Sequence, residues 1–319
     1  MTAVRRVGLA GFLPLYLAAA TAMGFVDYHV RTYPDLGFEQ YSPSVLAGTA
    51  EPPGRYRVLA PYVYDGLRRA TGLSPLYAWL VFRWVSLVLA LAAGHLYLTT
   101  WFDRGQAVAG NMLMLALMPL TFTNAWPHPD HFVELFLFTL ACACIARGWF
   151  YAFMAALALS ALNRETSVFL LPLFWLAVPD SAGHRLRVAS AAALWGAIYV
   201  GLRWALGFET YDAWQAVRNL GWFQPLSAAY PPYYRIRGWF YLLLLVPCFW
   251  LAAASWRQQP RFARVATAIV APAFVVVGFL FSSVIESRIF APVMALLLPG
   301  VLFALFPGAA PPSGRAGRV

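Results

Sequence analysis

The chain has 319 residues, of which 61% are hydrophobic and only 11% charged, and its net charge of +10 comes from 23 basic and 13 acidic side chains. So apolar a composition excludes one or two soluble domains and points to an all-α, polytopic membrane protein. All the basic residues are arginines, spread over segments that flank apolar runs instead of forming one stripe, so the charge is not a nucleic-acid footprint.

Arg5 and Arg6 precede the apolar run Val7 to Phe25, which is long for the core of a signal peptide and has no clear small-residue cleavage site, so it reads as a first spanning helix. Further runs near the bilayer length follow at Leu76 to Leu98, Gln106 to Trp126 and Phe132 to Ala146. Two short ones, Gly148 to Leu162 and Ser167 to Val178, flank the polar island Asn163-Arg164-Glu165-Thr166. Val188 to Trp204, Trp239 to Trp256, Val265 to Ser283 and Ile289 to Phe306 complete about ten spans in a single transmembrane domain, residues 1–319. Cys142, Cys144 and Cys248 lie inside apolar runs, where they suit packing better than disulfides or a metal.

Two segments are long enough for structure outside the spans. In Val26 to Pro75, the residues Val58, Leu59, Tyr62, Val63 and Leu67 recur at helical spacing, which predicts an interfacial amphipathic helix, with a weaker one over Phe38 to Leu46. Gly207 to Gly238 is rich in aromatics, among them Tyr233 and Tyr234, and suits either a headgroup-level belt or a platform for a sugar or lipid.

With both termini cytoplasmic, the short inside connections hold Arg104, Arg147, Arg185, Arg187, Arg257, Arg261 and Arg264, and the tail adds Arg315 and Arg318, as the positive-inside rule requires. Asp103 and Asp180 are then the only inside carboxylates, and the other acids share the outer face with arginines. Such a mixture is the pattern of a site, since anchoring needs only basic inner ends.

Four polar clusters reach that outer face: Asp27-Tyr28-His29 after the first span, His128-Pro129-Asp130-His131 before the fourth, the Asn163 island, and Glu286-Ser287-Arg288 before the last. An ionised side chain at mid-membrane costs about 2.5–3.5 kcal/mol, so the adjacent Arg164 and Glu165 within apolar sequence are either at a surface or facing a wet cavity. The bland reading is an ion pair joining two short helices. Carboxylates here suit general bases, and guanidiniums suit bidentate phosphate contacts. His128, Asp130, His131 and Glu134 also form a ligand set for zinc or manganese, although Pro127 and Pro129 with Asp130 make an ordinary helix start, and hydrogen bonding to a substrate is the preferred reading. A divalent metal is allowed but not required. Arg83, within the second span, is expected to snorkel or to pair inside the bundle.

At these residues the chain resembles the GT-C superfamily of integral-membrane glycosyltransferases. The resemblance rests on Asp27 just after the first helix, on Arg55-Tyr56-Arg57-Val58-Leu59-Ala60-Pro61 in the loop with amphipathic helices, on Leu162-Asn163-Arg164-Glu165-Thr166, and on Glu286-Ser287-Arg288. Many members carry a pair of acids in the first loop; here Tyr28 and His29 follow Asp27, with Asp35 and Glu39 further on. The resemblance implies transfer of a sugar from a polyprenyl-phosphate donor to a lipid-linked or envelope glycan acceptor, on the extracytoplasmic face of a cell inner membrane. It implies Asp27 as the base and Arg57, Arg164 and Arg288 as donor-phosphate contacts. His128, Asp130, His131, Glu134, Asn163, Glu165, Glu286, Tyr233 and Tyr234 are then candidate substrate contacts. The alternatives are a transporter or flippase of an amphiphilic glycolipid, or a metal-dependent membrane hydrolase built on His128, Asp130 and His131.

Overall fold

The computed structural model describes residues 9–30, 37–121, 130–209, 215–216, 219, 232–282 and 287–308. They form helices and no strand: α1 (Leu9–Val30), α2 (Gly37–Leu46), α3 (Leu59–Thr71), α4 (Pro75–Leu98), α5 (Arg104–Leu117), α6 (Asp130–Ala146), α7 (Phe150–Asn163), α8 (Leu170–Ala177), α9 (Ala182–Leu206), α10 (Pro232–Ala254), α11 (Arg261–Phe281) and α12 (Ala291–Leu305). Four stretches among these residues are long and apolar enough to cross a membrane: α4, α9, α11, and Arg288–Leu305, in which a 3-10 turn leads into α12. The chain therefore has the character of a helical membrane protein.

Among the described residues each apolar run is largely helical, but several boundaries move for local reasons. α9 begins at Ala182, ahead of the expected Val188, because the Ser181 side chain accepts the His184 N–H at 3.1 Å and caps the helix. α10 begins at Pro232, a residue suited to the first helical position, so the backbone of Tyr233 and Tyr234 belongs to its first turn and not to a loop. The third run leaves α-geometry at Met118 for a 3-10 turn, Met118–Thr121, which contains Pro119. Within α11, Pro272 has no N–H for the preceding turn, and Ala266–Val270 widens into a π-helical turn.

Both expected helices of the first loop are present, as α2 and α3. The buried residues of α3 are Ala60, Pro61, Tyr64 and Asp65; Ala60 and Tyr64, with Leu59 and Leu67, pack with Ala78, Trp79 and Phe82 of α4 and Val133 and Leu137 of α6, while Tyr62 and Val63 are exposed. The α3 C-terminus closes on Gly72 in the left-handed region (φ 66°), where a side chain would be strained.

The directions of the helices follow from their pairings. Asp27 near the end of α1 meets Arg83 near the start of α4, while Tyr16 earlier in α1 meets His95 near the end of α4, so the two run antiparallel. His131 at the start of α6 meets Arg83, and Arg147 just after α6 donates to the Leu96 carbonyl at 2.6 Å and Thr99 Oγ1 at 3.0 Å, so α4 and α6 run side by side in one direction. The starts of α4 and α6 and the ends of α1 and α7 thus share one end of the bundle. α6 is the centre, packed on α4, α7 and α12, and is buried along nearly its whole length. α12 is equally enclosed, whereas only 6% of the apolar window of α9 is buried, which puts α9 at the rim. Small residues allow the close approaches: an added Cβ at Gly110 would lie 2.6 Å from Leu98 Cδ1 and 2.7 Å from Leu302 Cδ1.

Candidate functional site

The site grows from the break between α7 and α8. Arg164 leaves helical geometry for an extended backbone (φ −158°, ψ 143°), and the chain resumes as the 3-10 turn Glu165–Phe169. The break is pinned by Ser167, which donates its N–H and hydroxyl to the Arg164 carbonyl at 3.2 and 2.8 Å and accepts Trp195 Nε1 of α9 at 2.9 Å. Four successive side chains thereby leave the helix register and reach other elements. Asn163 Nδ2 donates to the Asp130 carbonyl at 3.2 Å. Arg164 Nη1 donates to Glu134 Oε2 at 2.5 Å, with its Nε 3.4 Å from Asp130 Oδ2. Glu165 accepts from Arg57 at 2.6 and 3.3 Å, and Thr166 Oγ1 donates to Glu134 Oε1 at 2.5 Å.

Arg164 and Glu165 are therefore not paired with each other, as their adjacency suggests; the break sends them to different partners. The extended conformation at Arg164 turns the two side chains apart. Asp130 lies between two guanidiniums, 3.4 Å from that of Arg164 and 3.8 Å from that of Arg57. Three carboxylates thus face two guanidiniums, an excess of one negative charge when all are ionised. Depth differs along the cluster: the Arg164 and Glu134 side chains are 3% and 4% exposed, whereas Glu165 is 29% exposed and marks the open side.

A second ion pair adjoins the first. Arg83 donates from Nε and Nη2 to Asp27 Oδ2 at 2.7 and 2.6 Å, and its Nη1 and Nη2 lie 3.3 and 3.4 Å from the ring nitrogens of His131. Its guanidinium carbon sits 4.7 Å from the Trp79 ring centre and 4.4 Å from that of Phe132, so two aromatic faces hold the cation in place. Asp130 and His131, adjacent at the start of α6, join the two pairs into one buried polar region. The Asp27–Arg83 pair lines a cleft of about 410 Å³ between α1 and α4, whose other walls include Gly24, Phe25, Trp79, Trp84 and Phe132.

Of the sequence candidates, Asp27, Arg57, Asp130, His131, Glu134, Asn163, Arg164 and Glu165 come together here. Arg288 is fully buried on the 3-10 turn Ser287–Phe290, which packs on Met118–Thr121, α10, α11 and α12. His128, Glu286 and the side chains of Tyr233 and Tyr234 lie outside the described residues. Among the described residues no three His, Cys, Asp or Glu side chains are grouped to hold a metal ion, and Asp130, Glu134 and His131 face guanidiniums, cations that occupy a metal's place. Arg83 is the residue that sequence reading left out of the site; its signal was an arginine inside an apolar 24-residue helix.

A smaller polar knot lies further along α4. His95 Nδ1 is 2.7 Å from Tyr16 Oη, and Asn111 Nδ2 donates to that hydroxyl at 3.0 Å and to the Leu91 carbonyl at 2.8 Å. It ties α1, α4 and α5 together away from the charged end. The arginine-rich first loop is tied down as well: Arg55 pairs with Glu209 at 2.5 Å, Tyr56 Oη donates to the Gly207 carbonyl at 2.8 Å, and Arg203 lies over the Tyr56 ring at 4.4 Å. No family model, curated protein or solved structure matches the chain.

Proposed function

We propose that the chain is an integral-membrane glycosyltransferase of the GT-C type, with about ten spans, both termini cytoplasmic in a cell inner membrane, and its site on the extracytoplasmic face. The observation that carries this reading is the meeting of Asp27, Arg83, Arg57, Asp130, His131, Glu134 and Arg164 at one end of the bundle, beside an apolar cleft between two helices. A lipid-linked sugar needs such a pair of environments: apolar walls for the first isoprenyl units and fixed charges for the phosphate and the sugar. A transporter would favour charges near the membrane midplane on broken helices, and here Asp27, Asp130 and Arg164 lie at or within one turn of a helix end, with Arg83 reaching them from the third turn of its helix.

The chemistry is a single displacement at the anomeric carbon. The acceptor hydroxyl oxygen bonds to that carbon, the bond from carbon to the donor phosphate oxygen breaks, the hydroxyl proton passes to Asp27, and polyprenyl phosphate departs with one more negative charge than it had in the donor. Guanidiniums at that phosphate stabilise the transition state most where charge develops and water is excluded. Asp130, Glu134 and Glu165 hold Arg164 and Arg57 in fixed orientations, so little reorganisation remains for the reaction itself.

The test is transfer by purified protein from a panel of radiolabelled polyprenyl-phosphate sugars to membrane-extract acceptors, with Asp27→Asn alongside and with or without chelator. Transfer that is insensitive to chelator and lost in Asp27→Asn is the expected result. Absence of transfer from every donor sinks the proposal, and chelator-sensitive hydrolysis that survives Asp27→Asn moves the chemistry to Asp130 and His131.

A further inference from the structure

Resting on the function just proposed, we infer that the Asp27–Arg83 pair is a latch opened by a phosphate-headed lipid: the incoming phosphate takes Arg83 away from Asp27 and so frees Asp27 to act as base. Three observations carry it. First, Asp27 is 2% exposed and accepts two N–H groups of Arg83 on the single oxygen Oδ2, so that oxygen is engaged by the guanidinium and turned away from any acceptor hydroxyl. Secondly, both partners line the 410 Å³ cleft between α1 and α4, whose rim residues Phe25, Tyr28 and Val81 are exposed on the outer surface of the bundle. An amphiphile sliding in from the lipid side meets the guanidinium at the end of an apolar channel. Thirdly, Arg83 is clamped between Trp79 and Phe132, so the cation stays where it is while its anionic partner changes.

The exchange passes one cation between two anions: the donor phosphate brings one net negative charge into the site, and that charge is present both before and after the proton moves to Asp27. In the empty site Arg83 is neutralised by Asp27; in the loaded site it is neutralised by the donor phosphate, and Asp27 recovers its charge balance by taking the proton of the acceptor hydroxyl. A buried carboxylate without its cation is costly. Arg83 is thus a positioning residue that couples donor arrival to base activation and keeps the base idle when no donor is present.

The experiment reads binding, not turnover. A fluorescent dodecyl phosphate is titrated into the full-length protein in zwitterionic nanodiscs, with inorganic phosphate as competitor. Asp27 and the ligand compete for one guanidinium, so Asp27→Asn is expected to bind the amphiphile about tenfold or more tighter than wild type, and Arg83→Lys, which keeps the charge but loses the two-edged donor, about tenfold weaker. Millimolar inorganic phosphate is expected to leave the bound amphiphile in place. Equal or weaker binding by Asp27→Asn overturns the latch. Should that variant not fold, Arg83→Lys decides: unchanged affinity overturns the proposal and loss supports it. Displacement by inorganic phosphate at the amphiphile's own concentration overturns the lipid assignment. Because no sugar donor is involved, failure of glycosyl transfer leaves these outcomes standing, and normal transfer by the wild type together with unchanged amphiphile binding in Asp27→Asn removes the latch while sparing the transferase.

Discussion

The Arg164–Glu134 pair offers the sharpest test of how the charged end is built. Both side chains are almost fully buried, 3% and 4% exposed, and Glu134 also holds Thr166. Arg164→Met keeps the apolar stem but leaves Glu134 and Asp130 facing each other with Arg57, at 3.8 Å from Asp130, as the remaining cation nearby; the excess negative charge of the cluster rises from one to two. Breaking a buried pair from one side costs about 3–5 kcal/mol, because the partner stays charged and dry. Glu134→Gln is milder: the shape and the Thr166 bond persist, Arg164 keeps Asp130 at 3.4 Å, and the cost is that of one charge-assisted hydrogen bond, about 1.5–3 kcal/mol. The double variant leaves neither charge stranded and returns the cluster to its original imbalance, so its cost is expected to fall below the sum of the singles by about 2–3 kcal/mol. Reversible unfolding in mixed micelles measures all three. Additive losses, or an Arg164→Met penalty under about 1 kcal/mol, would show that water reaches the pair and would refute its description as a desolvated interaction.

Other consequences are simpler to check. An added Cβ at Gly24 meets no atom within 4 Å, yet Gly24 lines the cleft, so Gly24→Trp is expected to fold at wild-type yield while losing transfer and dodecyl phosphate binding; normal binding would mean that the cleft is not the entrance. At Gly94 a Cβ would collide with the Asn111 amide, itself fixed by Tyr16 and the Leu91 carbonyl, and Gly94→Ala is expected to cost about 1–3 kcal/mol by thermal unfolding. The exposed Asp180 is held below the usual carboxylate range chiefly by its hydrogen bond from Arg185. Its stabilising contribution is therefore present at neutral pH and lost only as the pH falls through that lowered value, and Asp180→Asn is expected to leave the melting temperature at neutral pH unchanged within error, as befits a solvent-screened pair.

Much of this architecture is written in the sequence because lipid imposes coarse, strong rules. Apolar runs of bilayer length become helices since a helix satisfies its own backbone without water, and among the described residues each such run is largely helical. The polar islands were legible for the same reason, as residues too costly to bury without purpose. What the sequence does not encode locally is partnership. Arg164 and Glu165 are neighbours in the chain and diverge because the backbone turns extended between α7 and α8. Asp27 and Arg83 are 56 positions apart and form the closest pair in the cleft. In α3 the predicted helix is present, and its apolar residues divide: Leu59 and Leu67 pack on the bundle while Tyr62 and Val63 are exposed, and Tyr64 packs on Phe82, because in a membrane the apolar face and the buried face need not coincide.

The pairing pattern constrains how any ligand can enter. Arg57, Arg83 and Arg164 each already face a carboxylate, so none is an open anion pocket of the kind a helix N-terminus or a glycine-rich loop makes. Burial in a low-dielectric end of the bundle forces this, since an unpaired guanidinium would be more expensive than any site could sustain between turnovers. Under the latch inferred above, anion binding would proceed by exchange, and its net strength would be the difference between two ion pairs instead of the whole of one. Under the proposed transfer, such a site would bind an anionic substrate modestly in the ground state and respond more steeply as charge grows on the leaving phosphate. That is the distribution of interaction energy a catalyst requires, with the larger share reserved for the transition state.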